Sequence, residues 1–190
     1  MGAGLCPDIR SREDVEDQEG YGGLMATAED RIRARGDGTP RPPTPVHIRP
    51  ATLEDVEEVA AVEARSFSNP WQPETFRSLI SQGRAHILVA EAHGALVVGY
   101  AVVWWVLDQG ELANLAVTED FQGKGVGSAL LDRLLSDAKA HEVESLFLEV
   151  RMSNTRAHEL YLSRGFAQVA VRKDYYRRPR EDARILVKRL

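Results

Sequence analysis

The stretch AVTEDFQGKGVGSALL, residues 116–131, decides how the rest of the chain is read. A β-prone run ends at Val117, a turn carries Gly123, Gly125 and Gly127, and an apolar stripe then begins at Val126. Val126, Leu130 and Leu134, with Leu131, Leu135 and Ala138 beside them, recur at helical spacing to about His141. The order is strand, glycine turn, long amphipathic helix. Glycine permits positive φ and lets a ligand approach the backbone closely. Successive N–H groups at a helix start form an anion nest, and a pyrophosphate suits it. Lys124 adds a point charge from the same loop. Neither G-x-G-x-x-G with its distant acid nor G-x-x-x-x-G-K-[ST] matches Gln-Gly-Lys-Gly-Val-Gly. The alternative is a tight turn whose glycines only shape a helix cap.

Upstream, Val46 and Ile48 alternate with polar residues as a first strand does. Thr52 with Asp55 reads as a capping pair, and Val56, Val59, Ala60 and Glu63 follow at helical spacing. Pro73, Phe76, Leu79 and Ile80 predict a second short helix after a loop over 66–73. Strands are expected over 85–91, 96–107 and 111–117, with turns at Gly94 and over 108–110. Downstream, SLFLEV (145–150) is a strand, and Ser153 or Asn154 caps a helix to Arg164 that Gly165 ends. Closing strands are expected over 166–175 and 183–190. A helical crossover between 117 and 145 implies a parallel pair, while the other neighbours read as antiparallel. The fold class is mixed α/β, mostly antiparallel and not doubly wound.

The chain has 190 residues, 43% of them hydrophobic, enough for one domain with a core and a tail. Residues 1–45 hold seven glycines, five prolines, nine acids and six arginines with scattered apolar residues, and are expected to be a disordered extension. A short helix over 24–35 is the alternative there. The domain is expected over 46–190. A net charge of −5 gives no nucleic-acid footprint, so no direct nucleic-acid binding is expected. The single cysteine, Cys6, excludes disulfide and thiolate–zinc scaffolds and suits a cytoplasmic protein. No apolar run reaches membrane-spanning length, so no membrane partner is expected. His47, His86, His93, His141 and His158 lack metal-ligand spacing, and no metal is expected. Oligomeric state stays open, a monomer being one reading.

The glycine turn also matches the Gln/Arg-x-x-Gly-x-Gly/Ala signature through Gln122, Gly125 and Gly127. Around it, in order, stand N-P-W (69–71), N-L-A-V (114–117), L-E-V-R (148–151), S-N-x-x-A (153–157), L-Y-x-x-x-G-F (160–166), R-K-x-Y-Y (172–176) and E-D-A (181–183). The chain from 46 to 190 therefore resembles the GCN5-related N-acetyltransferases (GNAT), and among them the bacterial ribosomal-protein alanine N-acetyltransferases of the RimI type. The resemblance implies helices flanking a mostly antiparallel sheet whose central parallel pair splays apart to take acetyl-CoA. It implies that Leu115, Ala116 and Val117 hold the pantetheine arm, and that Gly123, Lys124, Gly125, Val126, Gly127 and Ser128 wrap the pyrophosphate. Asn154 and Tyr161 would touch the cofactor from the next helix. Glu149 would be the general base and Tyr161 the general acid. The implied acceptor is the N-terminal alanine of small-subunit ribosomal protein number eighteen, a basic partner. The extension over 1–45 departs from the family's compact pattern.

The residues make chemical sense of these roles. An α-amine has a pKa near 8, so only a modest base is needed to deprotonate it. Alternation puts Phe147, Glu149 and Arg151 on one strand face and Leu146, Leu148 and Val150 on the other. Glu149 reads either as that base or as a surface glutamate paired with Arg151. Tyr161 follows Asn154 by seven residues, close to two turns, so both face one side. It reads either as the acid for the departing thiolate or as a half-buried ring packed on Phe166. A backbone N–H near Val117 would serve the developing oxyanion. Asn69, Pro70, Trp71, Tyr175 and Tyr176 are expected to wall the acceptor cleft, with Glu111, Glu149 and Asp174 lending negative potential. Of Trp104 and Trp105, which face opposite ways, one is expected in the core. No nucleophile for ping-pong transfer is offered, so direct attack in a ternary complex is expected. Two alternatives remain open: an acetyltransferase for lysines, small amines or other N-termini, and a non-catalytic acetyl-CoA-binding regulator.

Overall fold

The computed structural model describes residues 45–92 and 94–190, so the expected extension and its alternative helix lie outside the described residues, Pro45 apart. The chain runs through β1 (His47–Pro50), a 3-10 turn (Leu53–Asp55), α1 (Val56–Ser66), α2 (Pro73–Ser81), β2 (His86–Ala92), β3 (Leu96–Val106) and β4 (Gln109–Val117). A second 3-10 turn (Glu119–Phe121), α3 (Val126–Ala140), β5 (Ser145–Arg151), α4 (Thr155–Ser163), β6 (Ala167–Arg177) and β7 (Arg180–Arg189) follow. Among the described residues seven strands form one sheet in the order β1-β2-β3-β4-β5-β7-β6. Of these only β4 and β5 pair in parallel; every other neighbouring pair is antiparallel. That is the mixed sheet read from the sequence. Among the described residues no helix is long and apolar enough to cross a membrane.

Local chemistry sets the element ends. The Asp55 carboxylate reaches back to the Thr52 N–H (2.7 Å) and takes a two-pronged hydrogen bond from Arg49 (2.8 Å each), tying β1 to the start of α1. Pro73 opens α2, where its missing N–H costs nothing. At the end of α4, Gly165 (φ +80°) and Phe166 return N–H bonds to Leu162 and Tyr161 (2.9 and 3.1 Å), a Schellman closure.

Two elements differ from expectation. Gly110 is expected in a turn over 108–110, yet β4 already begins at Gln109 and the hairpin turns at Leu107 and Asp108. The reason is packing: a Cβ on Gly110 would lie 2.7 Å from Leu146 Cδ1, so glycine here serves strand contact. β7 starts at Arg180 rather than at 183, because Arg180 and Glu181 pair with Arg177 and Tyr176 of β6.

The sheet is covered on both faces. On one, α3 and α4 pack through Val126, Leu130, Leu131, Leu134 and Tyr161 onto Leu88, Ala101, Leu146 and Leu148. On the other, α1 and α2 pack Val56, Val59 and Phe76 onto Val89, Tyr100 and Val102. Burying each valine, leucine and phenylalanine among these stabilises the fold by roughly 1.5–3 kcal/mol before entropy is charged against it.

Candidate active site

The candidate site is an opening in the sheet. β4 and β5 pair only from Gln109–Ser145 to Leu112–Leu148. Beyond that point β4 stays with β3 as far as Val117–Gly99, and β5 stays with β7 as far as Arg151–Ala183. The two middle strands therefore part after Leu112 and Leu148. A bulge marks the place: Val102 pairs with Asn114 and Val103 with Leu112, leaving Ala113 as the extra residue. This is the splayed parallel pair that the resemblance implied. Leu115, Ala116 and Val117 edge the opening on one side, Glu149 and Arg151 on the other.

The glycine turn stands at the end of β4. Gly123 (φ +73°) and Gly125 (φ +85°) hold left-handed conformations that other residues enter only at a cost. The first intrahelical bond of α3 runs from the Ala129 N–H to the Gly125 carbonyl (2.9 Å). The N–H groups of Val126, Gly127 and Ser128 precede it, as the first donors of any helix do. The Gln122 amide clips the turn to the strand by donating to the Val117 carbonyl (3.0 Å), while Arg156 from α4 donates to Gln122 Oε1 (3.0 Å). Lys124 lies with its Nζ 5.1 Å from the centre of the Phe121 ring. Arg156, absent from the sequence-based site, is thus a second cation at this turn. Asn154 caps α4 by accepting from the Ala157 N–H (3.1 Å), so its Oδ1 is engaged in the helix start.

Glu149 is the first residue of β5 past the strand separation. Its side chain is 25% exposed and accepts from Arg172 Nη1 of β6 (3.1 Å), not from Arg151. Arg151 goes elsewhere: to Glu181 (3.3 Å), the Arg178 carbonyl (3.1 Å) and Ser68 Oγ (3.1 Å). Its guanidinium also sits 3.9 Å from the Tyr176 ring centre. Glu149 alternates with Leu148 and Val150, which face α3 and α4, so it faces the α1–α2 side. Tyr161 belongs to the opposite layer, 6% exposed and edge-on to Phe166 at 5.6 Å. Burial, with a smaller contribution from Tyr176, raises the Tyr161 hydroxyl well above an ordinary phenol. Burial and then Tyr175 push Tyr176 up to about 12, with Glu149 and Glu181 adding to it and Arg151 opposing. Tyr176 thus interacts electrostatically with groups from both layers.

The expected acceptor walls lie on the Glu149 side. Trp71 stacks on Trp104 (6.1 Å, 12°), and the Trp104 indole donates to Glu111 (3.2 Å). Trp104 thus joins the α1–α2 layer, while Trp105 packs beside His86 and His141 on the other. Tyr175 and Tyr176 meet edge-on at 5.0 Å. Ser68 donates to the Arg178 carbonyl (2.8 Å), so the loop carrying Asn69, Pro70 and Trp71 touches the β6–β7 hairpin. Asp174 is engaged by Arg180 through two 2.7 Å bonds, which neutralises the negative potential expected of it. Sequence reasoning also missed Glu63, an acid on the apolar face of α1 that is 1% exposed. The signal was available: its spacing from Val59 and Ala60 places a carboxylate where a hydrophobe belongs.

A sheet parted at a parallel pair, with a glycine turn leading into a helix beside the gap, is the architecture of an acyl-CoA-dependent acetyltransferase. The profile of the Acetyltransferase (GNAT) family matches residues 56–166, and the chain belongs to that family. Its relatives include the [ribosomal protein bS18]-alanine N-acetyltransferase of Escherichia coli (strain K12), 36% identical over 140 residues, spanning 72% of this chain and 93% of that one. The crystal structure of the ribosomal-protein-S18-alanine N-acetyltransferase from Escherichia coli superposes with a TM-score of 0.70 at 33% identity, covering 76% of this chain and 94% of that one. Ard1 from Thermoplasma volcanium superposes with a TM-score of 0.69 at 27% identity, covering 76% and 97%.

Proposed function

We propose that residues 46–190 form a catalytic domain that acetylates the α-amine of the N-terminal alanine of ribosomal protein bS18, in the cytoplasm, with acetyl-CoA as cosubstrate. The observation that carries this is the parting of β4 and β5 after Leu112 and Leu148, with Glu149 the next residue on one edge. The fit to the cosubstrate rests on the turn: left-handed Gly123 and Gly125 bring backbone close, and the N–H groups of Val126, Gly127 and Ser128 lead α3. Bound acetyl-CoA supplies an activated acyl group as a thioester.

The chain's own residues do the rest. Leu115, Ala116 and Val117 line the strand edge that receives the extended arm. Glu149 takes a proton from the attacking amine at its carboxylate as the new C–N bond forms. Tyr161, kept protonated by burial, gives its hydroxyl proton to the sulfur as the C–S bond breaks. The two proton carriers come from opposite layers of the sheet, so the reacting groups meet in the gap between them. Asn69, Pro70, Trp71, Glu111, Tyr175 and Tyr176 form the acceptor side, where aromatic rings grip an extended N-terminus.

The test is a peptide panel incubated with acetyl-CoA and read by mass spectrometry that locates the added group. Acetylation of the α-amine of peptides beginning with alanine is expected. Modification confined to lysine in N-terminally blocked peptides would move the activity to side chains. Tight cofactor binding without turnover on any peptide would make the chain a regulator.

A further inference from the structure

Four elements converge on one carboxylate. Glu63 of α1 accepts from the Trp71 N–H through Oε1 (2.9 Å). Its Oε2 accepts from the Tyr100 hydroxyl of β3. The Asn114 amide of β4 lies 3.2 and 3.1 Å from the two oxygens. All three donors are neutral. Around them lie the apolar side chains of Val59, Phe76 and Val102. Replacing a buried charge with a hydrophobe of similar volume is often neutral or stabilising, so stability alone does not explain Glu63.

The positions of the donors are informative. Asn114 follows the bulge residue Ala113, where β4 leaves β5. Trp71 is the loop residue whose ring stacks on Trp104. The carboxylate therefore ties the loop backbone to the strand at the point where the sheet opens. We infer that Glu63 is a positioning residue for the transfer reaction: it locks the Trp71 loop to the β4 bulge and so fixes the spacing between the acceptor wall and the cofactor strand. The inference deepens the proposed function and rests on it. The loop is the weaker partner of the two, since β4 is held by its ladder to β3. Loss of the lock therefore moves the acceptor side first.

Glu63→Gln keeps the volume but turns one acceptor oxygen into a donor, so the three donors on the carboxylate cannot all keep their present bonds. The expected result is a KM for an alanine-starting peptide raised about tenfold, with acetyl-CoA affinity within about twofold of wild type. The near-UV circular dichroism of the Trp71–Trp104 stack is expected to weaken. Adding Asn114→Asp supplies an acceptor for the new amide at position 63 and is expected to recover part of the peptide KM. A lowered melting temperature with wild-type peptide KM and an unchanged tryptophan signal would overturn the inference. Should Glu63→Gln not fold, Tyr100→Phe removes one donor and keeps the charge; a wild-type peptide KM and tryptophan signal in that variant would overturn it equally. The dichroism needs no substrate. A wild-type enzyme inactive on every peptide would thus sink the proposed function while the lock is still judged by the tryptophan signal.

Discussion

Arg172 of β6 reaches past β7 and donates to Glu149 of β5 at 3.1 Å, although Arg151 lies on the same face of the same strand only two residues from that acid. Arg151 is drawn away by Glu181, by carbonyls of the β6–β7 hairpin and by Ser68. The division of labour matters. One guanidinium orients the acid at the edge of the gap, and the other joins the two flanking walls.

Glu149→Gln keeps the shape and removes the proposed proton acceptor. We expect kcat to fall by about a hundredfold or more, the range for a general base, with acetyl-CoA affinity unchanged. Thiol release measured against calorimetric cofactor binding separates the two. A variant with wild-type kcat would remove Glu149 from the chemistry.

Tyr161→Phe retains the edge-on contact with Phe166 and loses only the hydroxyl. A kcat lowered by about tenfold is expected, less than for the base because a thiolate leaves readily. The melting temperature should stay within a few degrees. Since burial holds this hydroxyl above the ordinary phenol range, it remains a proton donor there, and the wild-type rate should show no loss from its ionisation as pH rises towards about 10. An alkaline fall below that value that vanishes in Tyr161→Phe would contradict the raised position of this hydroxyl.

At the glycine turn two alanine substitutions should diverge. Gly125 adopts φ +85°, so Gly125→Ala costs about 1–2 kcal/mol of backbone strain and should weaken acetyl-CoA binding severalfold. Gly127 lies inside α3, and an added Cβ meets Leu160 Cδ2 at an ordinary 3.5 Å. Gly127→Ala should fold and melt like wild type. Equal cofactor affinity in wild type and Gly125→Ala would argue that the turn does not hold the phosphates.

Arg151→Met preserves much of the aliphatic stem but cuts the links to Glu181, Ser68 and the Arg178 carbonyl, and loses the stack on Tyr176. The loop and the hairpin proposed as acceptor walls then loosen. The peptide KM should rise on the order of tenfold while cofactor affinity holds. Arg151→Lys should recover little, because a point charge does not reproduce the planar fork.

Stability should vary with pH through two acids of opposite sign. The Arg49 guanidinium holds Asp55 below the usual carboxylate range, so its stabilisation is present above the ordinary value near 3.9 and is lost as pH falls through the depressed one. Burial raises Glu63, so its contribution is full below the ordinary glutamate value near 4.3 and is lost as pH rises through the raised one. Melting temperatures scanned from about pH 3 to 8 should show the acid-side loss shrink in Asp55→Asn and the higher-pH loss shrink in Glu63→Gln. Identical profiles for all three proteins would refute both signs.

Much of the fold was legible in the chain. The stripe from Val126 to Ala138, the alternation in SLFLEV and the caps at Thr52, Asn154 and Gly165 each state a local preference that the structure honours. Gly110 and the start of β7 escaped that reading because their roles depend on residues distant in sequence, Leu146 in one case and β6 in the other. For the candidate site, the glycine turn and Glu149 were visible as residue types in a pattern. Arg172 and Arg156 were not, since a charged side chain carries no local mark of its partner; Glu63 was marked by its place on the apolar face of α1, but its partners were not.

Periodicity, capping and glycine placement act over a few residues, so by itself the sequence determined the helices, most of the strands, the one parallel crossover and the turn that leads α3. The parting of β4 from β5 was decided only by tertiary structure. It arises where a bulge at Ala113, the ladder to β3 and the ladder to β7 pull two neighbours in different directions, and no window of sequence contains all three. The same holds for the carboxylate that meets Trp71, Tyr100 and Asn114. Long-range convergence sets its partners, and those partners give an otherwise misplaced acid its meaning.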